Sequence, residues 1–240
     1  MNKALILTAL REGELHLEGQ FIYGSNYTFL AACQFQDHAY KVVYKPMEGE
    51  RPLWDFPHKT LAKREVAAYI VSESLGWALV PPTVFRLRKT PMGPGSVQLF
   101  IEHDPEYHYF EFGEKERDQL PRVMAFDLLI NNADRKGGHF LIDPGGKLWL
   151  IDHGLSFHVE EKIRTVLWDY AGQPIPEAIL SEINHLQRSL SPQMEGFHLL
   201  QPLLTVGEIK AIGKRADALV EEGTFPLPPE DRRAYPWPLV

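Results

Sequence analysis

Residues 131–155, with the sequence NNADRKGGHFLIDPGGKLWLIDHGL, constrain the fold more than any other part of the chain. An apolar run at Phe140–Ile142 is followed by turn-forming residues at 143–146 and by a second run at Lys147–Ile151. Two such runs around a turn rich in Gly, Pro and Asp predict a β-hairpin. The two ends of a hairpin lie side by side, so the residues just outside the strands are expected to meet.

Three polar side chains occupy those outer positions. Asp134 and His139 precede the first strand, and Asp152 follows the second, 18 positions after Asp134. Phosphoryl transfer needs one residue that orients or deprotonates the acceptor hydroxyl and others that hold a metal ion on the phosphates. Asp134 suits the first role, and Asp152 with His139 suits the second. Each piece alone is also ordinary surface turn or strand-end chemistry, whereas the combination favours a metal–nucleotide site.

Before the hairpin, residues 14–45 predict an antiparallel sheet of three strands, Leu15–Ile22, Tyr27–Gln34 and Ala39–Lys45. The first turn contains Gly24, Ser25 and Asn26, whose small polar groups can cover nucleotide phosphates. The same residues also suit any hairpin turn.

Lys45, at the end of the third predicted strand, is placed to reach nucleotide phosphates. The following helix, predicted at Thr60–Leu75 with Thr60 as its cap, carries Glu65 within an apolar stripe. A carboxylate in such a stripe needs a partner, and Lys45 is the partner we expect. The alternative is a surface Glu65 that pairs with Lys63 or Arg64.

A strand predicted at Ser96–His103 leads into a hinge between two parts of the chain. Its backbone is expected to contact the adenine base, and the residues concerned are Gln98, Leu99, Phe100, Ile101 and Glu102.

A predicted helix at Arg117–Asn131 leads into the Asp134 loop, and its Asp127 is expected to be a structural acceptor. After the hairpin, residues 156–169 have the place of a substrate loop. Further helices are predicted at Pro176–Leu190, Gln193–Leu204 and Val206–Glu222, the last with a capping box at its start. The proline-rich segment from Phe225 is expected to pack on the surface through Tyr235 and Trp237.

The overall charge excludes some classes of partner. A formal charge of −7 and a pI near 5.8 argue against binding to nucleic acid or an electrostatic grip on acidic lipid. The single cysteine, Cys33, predicts a buried strand residue and a reducing cytoplasm. Residues 4–10 are too short an apolar run for a signal peptide. We therefore expect a cytoplasmic protein without stable membrane association.

The chain carries Asp134-Arg135 with a polar residue five positions after the Asp, and later Ile151-Asp152-His153-Gly154-Leu155. This motif resembles the catalytic core of the phosphatidylinositol 3-/4-kinase family. It is also similar to the type II phosphatidylinositol 4-kinases. Those families carry Asn at the position of His139. The resemblance covers residues 24–176 and is most specific at 134–155.

The resemblance implies an α+β, two-lobe kinase-like fold, with a small antiparallel lobe at residues 1–103 and a mainly helical lobe at 104–240. It implies ATP between the lobes, Asp134 at the acceptor, and Mg²⁺ on Asp152 and His139, with Mn²⁺ as an alternative because of the imidazole. Lys45 and Glu65 would align the phosphates under Ser25 and Asn26. The cations expected to bind substrate are Arg135, Lys136, Lys162 and Arg164.

The expected activity is ATP-dependent phosphorylation of a hydroxyl group on a small soluble acceptor, with inositol or an inositol phosphate implied by the resemblance. Two alternatives use the same cleft. One is a pseudokinase that binds nucleotide or a partner without turnover, which only His139 favours. The other is a protein kinase or nucleotidyltransferase.

Overall fold

The computed structural model describes residues 2–22 and 26–240. The first part of the chain is an antiparallel sheet with two helices, built from α1 (Lys3–Glu12), β1 (Glu14–Gln20), β2 (Phe29–Phe35), β3 (His38–Pro46), α2 (Leu61–Ser74), β4 (Thr83–Arg86) and β5 (Gly95–Leu99). The strands lie in the order β1-β2-β3-β5-β4. The second part is mainly helical, built from α3 (Glu114–Arg117), α4 (Leu120–Ile130), β6 (Phe140–Ile142), β7 (Leu148–Leu150), α5 (Glu177–Ser189), α6 (Glu195–Leu200) and α7 (Val206–Glu222).

The alternation of side chains along β3 decides which residues reach the space between the two parts. Tyr40, Val42 and Tyr44 are buried in the core of the sheet. Because successive strand residues face opposite sides, Val43 and Lys45 lie on the other face. That face lines the cleft between the sheet and the helical part.

Helix α1 covers the sheet core on its other side. No helix is predicted here from the sequence, because the apolar run at residues 4–10 is short and has the composition of a leader segment. Asn2 accepts the Ala4 N–H at 3.0 Å through its side chain and so begins the helix. Ile6, Ala9 and Leu10 are buried. The Cys33 thiol is buried, as predicted, and donates to the Ala9 carbonyl at 3.2 Å.

Helix α2 forms where it was predicted, but its cap differs. Thr60 makes no capping hydrogen bond through its side chain. Instead, the Glu50 carboxylate accepts from the N–H groups of Leu61 at 3.1 Å and Ala62 at 2.9 Å. A loop carboxylate therefore satisfies the first N–H groups of the helix and complements its dipole. The prediction of a Thr60 cap was wrong because the competing acceptor lies ten residues earlier in the chain.

The helical part encloses the second core, which contains α4, α5 and α7. The capping box predicted for α7 is confirmed, since Thr205 and Glu208 bond to each other's backbone N–H groups. Gly223 ends the helix with φ at +64°, a conformation that glycine adopts without strain. The α+β architecture is confirmed, and the division at residues 103 and 104 stays a prediction.

The final segment packs differently from the prediction. Tyr235 and Trp237 are exposed. The segment is instead held by Ala234, which is buried and whose carbonyl accepts from Thr165 N–H and from the Trp168 indole. Within the described residues, none of the helices combines the length and the apolar composition that crossing a membrane requires.

Candidate active site

A cleft of about 330 Å³ lies between the sheet and the helical part. It is bounded by β3, α2, β5, the loop after α4 and the end of the β6–β7 hairpin. The residues predicted from sequence that line it are Asn26, Lys45, Glu65, Gln98, Leu99, Phe100, Ile101, Asp134 and Asp152. The predicted polar residues of both parts therefore share one cavity.

The hairpin brings Asp152 and His139 together as predicted. Phe140 pairs with Leu150 and Ile142 with Leu148, so the residues flanking the strands lie at one end. His139 Nε2 lies 3.5 Å from Asp152 Oδ2. Asp152 has φ at +60°, which is rare for a residue with a side chain and is typical of functional sites.

Lys45 joins the two parts of the site. Its ammonium contacts Glu65 Oε1 on α2 and lies 3.0 Å from Asp152 Oδ1. The other oxygen of Glu65 accepts the His153 N–H at 2.9 Å. The predicted contact of Lys45 with Glu65 is confirmed, and the alternative of a surface Glu65 is wrong because only 4% of its side chain is exposed.

These contacts favour the charged form of each group. The Lys45 ammonium lowers the pKa of Asp152 well below its usual range. Burial opposes the charges of Lys45 and Glu65. However, Asp152 and Glu65 together raise the pKa of Lys45, and Lys45 lowers the pKa of Glu65. All three groups are therefore charged near neutral pH, and the cluster of Lys45, Glu65 and Asp152 carries one net negative charge.

Asp134 lies on the wall of the same cleft, where 28% of its side chain is exposed. Its backbone N–H donates to the Asn132 side chain at 3.0 Å, which fixes the loop. Burial raises the pKa of Asp134, Asp152 adds to this effect, and Lys136 and Arg164 oppose it. The carboxylate is a stronger proton acceptor than an exposed aspartate, which suits an acceptor-orienting residue.

Arg135 was predicted to bind substrate, and the structure contradicts this. Its side chain is fully buried and its Nε and Nη2 donate to the Asp127 carboxylate at 2.9–3.1 Å, while Nη1 donates to the Ile151 carbonyl at 2.9 Å. Asn132 also donates to Asp127, at 3.1 Å. Asp127 is the predicted structural acceptor, but its main partner is the guanidinium of Arg135. The pair fixes the Asp134 loop against the end of β7.

The other three predicted substrate cations differ in their surroundings. Lys162 lies 3.1 Å from Asp55 and is largely buried, so its charge is already neutralised and the prediction that it binds substrate is not supported. Lys136 lies 3.4 Å from Asp134. Arg164 is near enough to lower the pKa of Asp134. Lys136 and Arg164 are thus cations that lie near Asp134.

The nucleotide-covering turn and the hinge are only partly placed as predicted. Gly24 and Ser25 lie outside the described residues. Asn26 lines the cleft, and its side chain accepts the Arg51 N–H at 2.7 Å. In the hinge, the side chain of Glu102 pairs with Lys41 at 2.6 Å, and the contact of its backbone with the nucleotide stays a prediction.

Two of the predicted hinge contacts already use their N–H groups within the protein. The Leu99 N–H donates to the Pro82 carbonyl at 2.9 Å, and the Phe100 N–H donates to the Lys41 carbonyl at 3.0 Å. Gln98 donates to the Thr83 hydroxyl at 2.9 Å. These residues can therefore shape the wall of an adenine site, but the Leu99 and Phe100 N–H groups are not free to bond the base.

The His139 ring is held in a particular environment. Its Nδ1 accepts the Lys136 N–H at 3.3 Å, which places the ring proton on Nε2, facing Asp152. Burial lowers the pKa of His139 to about 3, although the Asp152 carboxylate partly offsets this effect. The imidazole is therefore neutral over the physiological range. No fall in activity near pH 6.5 is therefore expected from this histidine.

A divalent metal ion, implied by the resemblance, fits one of its two predicted ligands well. Asp152 is a hard oxygen donor whose side chain is 52% exposed in the cleft. Ligation by His139 Nε2 would require the opposite tautomer, which removes the contact with Lys136 N–H. In the part of the chain that the structure describes, no three His, Cys, Asp or Glu side chains form a metal-binding group. This donor set suits Mg²⁺, which typically takes one or two protein carboxylates together with substrate phosphates.

Sequence reasoning missed the apolar lining of the cleft. The residues concerned are Phe21, Tyr27, Leu61, Ala62, Leu141, Ile151 and Leu155. It also missed Asn131, whose side chain donates to the carbonyls of His158 and Glu160 and accepts the Lys162 N–H at 2.8 Å. The consecutive asparagines before Ala133-Asp134 were the available signal for this loop-organising role.

No protein-family model matches the chain. The Mycobacterium tuberculosis (strain ATCC 25618 / H37Rv) protein named Protein Rv2133c is 38% identical over 262 aligned positions, which cover 95% of this chain and 93% of the relative. The chain belongs to the Rv2133c family.

Plant kinases are more distant relatives of this Rv2133c family member. Phosphatidylinositol 4-kinase gamma 3 of Arabidopsis thaliana is 29% identical over 210 positions, covering 66% of this chain and 36% of the plant protein. Phosphatidylinositol 4-kinase gamma 4 of Oryza sativa subsp. japonica is 27% identical, covering 57% of this chain and 28% of the relative. The chain thus spans about a third of the length of these kinases.

Solved structures show the fold. A hydra Fam20 structure with sugar matches with a TM-score of 0.57 and 15% identity, covering 90% of this chain and 87% of that chain. The Golgi casein kinase with Mn/ADP bound matches with a TM-score of 0.55 and 16% identity, covering 91% and 74%. Helicobacter pylori CtkA matches with a TM-score of 0.53 and 12% identity, covering 90% and 94%. The predicted two-lobe, kinase-like α+β fold is confirmed.

Proposed function

We propose that the protein is an ATP-dependent phosphotransferase that transfers the γ-phosphoryl group to a hydroxyl group of a small soluble acceptor. The observation that carries the proposal is the cluster of Lys45, Glu65 and Asp152, with Asp134 on the same cleft. Phosphoryl transfer requires phosphate alignment, metal binding and acceptor orientation, and these residues can meet all three requirements.

Each residue has a distinct proposed role. The Lys45 ammonium, held by Glu65, neutralises and aligns the phosphates. Asp134 accepts a hydrogen bond from the acceptor hydroxyl, orients it toward the phosphorus and takes its proton during transfer. Lys136 and Arg164 attract an anionic acceptor. Asp152, together with His139 in its Nε2-ligating tautomer, would hold a divalent metal ion whose charge stabilises the transferring phosphoryl group.

Support for the nucleotide and the acceptor comes from different proteins. A structural neighbour is described with Mn/ADP bound, which supports an adenine nucleotide with a divalent cation. Relatives named phosphatidylinositol 4-kinases support an inositol-type acceptor. We therefore propose inositol or an inositol phosphate as the first acceptors to examine.

The test combines binding and turnover. Mg-ATP binding is measured calorimetrically for the wild type, Lys45→Ala and Asp152→Ala, and both substitutions should weaken it because they remove a phosphate cation and a metal ligand. Transfer from γ-labelled ATP is then followed with inositol, inositol phosphates, other polyols and proteins. Asp134→Ala should lose on the order of 10²–10⁴-fold in turnover with little change in nucleotide affinity.

Equal binding curves for wild type and Asp152→Ala would contradict the metal assignment. Binding of Mg-ATP without transfer to any acceptor, and without slow hydrolysis, would favour the pseudokinase alternative. Label found on added protein alone, or release of pyrophosphate, would favour a protein kinase or a nucleotidyltransferase.

A further inference from the structure

Arg64, the neighbour of Glu65 on α2, is almost completely buried, with 1% of its side chain exposed. Its Nη2 donates to Glu208 Oε1 and its Nη1 donates to the carbonyl oxygen of Ser156, each at 2.5 Å. Glu208 belongs to α7, and Ser156 follows the hairpin. The guanidinium therefore joins the helix that carries Glu65 to two separate parts of the helical lobe.

Glu208 is itself fixed in place. Its second oxygen accepts from the Thr205 N–H at 2.8 Å and from the Thr205 hydroxyl at 2.9 Å, within the capping box of α7. Only 6% of the residue is exposed. An anionic group is thus held opposite Arg64 by the start of a 17-residue helix, and not by a mobile segment.

The neighbouring residue on α2 holds the phosphate-aligning lysine. Adjacent helix residues point about 100° apart, so Arg64 and Glu65 reach different partners from the same turn. Arg64 contacts α7, while Glu65 contacts Lys45 and the His153 N–H. A rotation or outward shift of α2 would break both sets of contacts together.

In protein kinases, phosphorylation of the activation loop controls whether the helix carrying this glutamate is in place, because the phosphate provides an anionic partner for arginine. In this chain the Glu208 carboxylate already provides such a partner. We propose that Arg64 and Glu208 form a positioning pair that fixes Glu65, so that the Mg-ATP site is assembled without a phosphate group on the chain. This inference rests on the proposed function.

A double-mutant cycle tests the pair through Mg-ATP affinity, measured calorimetrically. Glu208→Gln should weaken binding about tenfold in the wild-type background. In a Glu65→Gln background the same substitution should have almost no further effect, because the residue through which the pair acts is already altered. A purely structural role of the pair predicts instead that the fold losses of Mg-ATP affinity caused by Glu208→Gln and by Glu65→Gln multiply in the double variant. That result would overturn the proposal.

Arg86→Lys is the matched control. Arg86 is also a buried arginine of the sheet lobe, and it donates to the carbonyls of Gly13 and Lys89 away from the cleft. This variant should lower the thermal midpoint but leave Mg-ATP affinity unchanged. If it weakens binding as much as Glu208→Gln does, general loosening explains the loss and the positioning role is wrong.

Two further arms complete the test. If Glu208→Gln does not fold, Arg64→Lys takes its place in the cycle, since it keeps the charge but cannot make both contacts. Phosphatase-treated protein should bind Mg-ATP as tightly as untreated protein, and a loss of affinity would overturn the proposal. If the wild type binds no Mg-ATP, the proposed function itself is refuted. If the wild type binds Mg-ATP but the losses of affinity from the two substitutions multiply, only the positioning pair is refuted.

Discussion

At the scale of single residues, Asp134 and His139 respond differently to acid. Burial raises the pKa of Asp134 and lowers that of His139 to about 3. A base acts only when deprotonated, so activity should rise with pH through the pKa of Asp134. That inflection should lie above the usual aspartate value of about 3.9. The imidazole, neutral throughout this range, should add no inflection near pH 6.5.

The pH profile of kcat for wild type and His139→Asn checks this expectation. Both enzymes should show the same acid limb, because the group that titrates is present in both. An inflection near pH 6.5 that is present in wild type and absent in His139→Asn would show that the imidazole, and not Asp134, is the group whose titration limits activity.

His139 also bears on metal preference. A neutral imidazole nitrogen suits Mn²⁺ better than Mg²⁺, whereas the amide oxygen of asparagine suits Mg²⁺. We therefore expect His139→Asn to shift the ratio of Mg²⁺-supported to Mn²⁺-supported turnover toward Mg²⁺. If the ratio is unchanged, His139 has no part in metal binding and is only a neutral neighbour of Asp152, held by the Lys136 N–H.

Lys45, Glu65 and Arg135 show which contacts of the site can and cannot be predicted from sequence. The pairing of Lys45 with Glu65 was predictable because Glu65 lies in an apolar stripe, where a carboxylate requires a partner. The burial of Arg135 was not predictable in the same way. A cation beside a proposed catalytic aspartate resembles a substrate contact. Asn131 ends α4 in the left-handed conformation, and the chain that turns back there places Arg135 against Asp127.

At the scale of elements, α2 is the helix on which the proposed nucleotide site depends, and its start is fixed by Glu50. This carboxylate accepts two N–H groups that would otherwise be unsatisfied. Loss of a capping side chain typically costs about 0.5–2 kcal/mol, so Glu50→Ala should lower the free energy of unfolding by about 1 kcal/mol. Urea denaturation measures the change.

Glu48→Ala is the control from the same loop. Glu48 is exposed and pairs with Lys59 at the surface, a kind of contact that contributes about 0–1 kcal/mol. Equal losses for the two variants would mean that Glu50 does not act as a cap. The strands and helices were easier to predict than this cap, because periodicity is local whereas the acceptor comes from a separate loop.

At the scale of the whole molecule, net charge bears on whether the protein can approach an anionic membrane. The chain carries a formal charge of −7. Among the described residues, Lys162 is paired with Asp55 and Arg232 lies 2.6 Å from Glu161, whereas Lys136 and Arg164 lie near Asp134. Each basic residue near an anionic membrane contributes about 1 kcal/mol, and two are too few to offset the overall repulsion.

We therefore expect no stable binding to vesicles that contain phosphatidylserine and phosphatidylinositol, and transfer of phosphate to soluble acceptors only. Flotation of the vesicles measures binding, and labelled product in the lipid and aqueous fractions measures transfer. A Glu160→Lys variant serves as the control. It adds a cation within residues 156–169 and should bind the vesicles more strongly than wild type. Stable flotation of the wild type, with label on embedded phosphatidylinositol but not on soluble inositol compounds, would show that the acceptor is a membrane lipid.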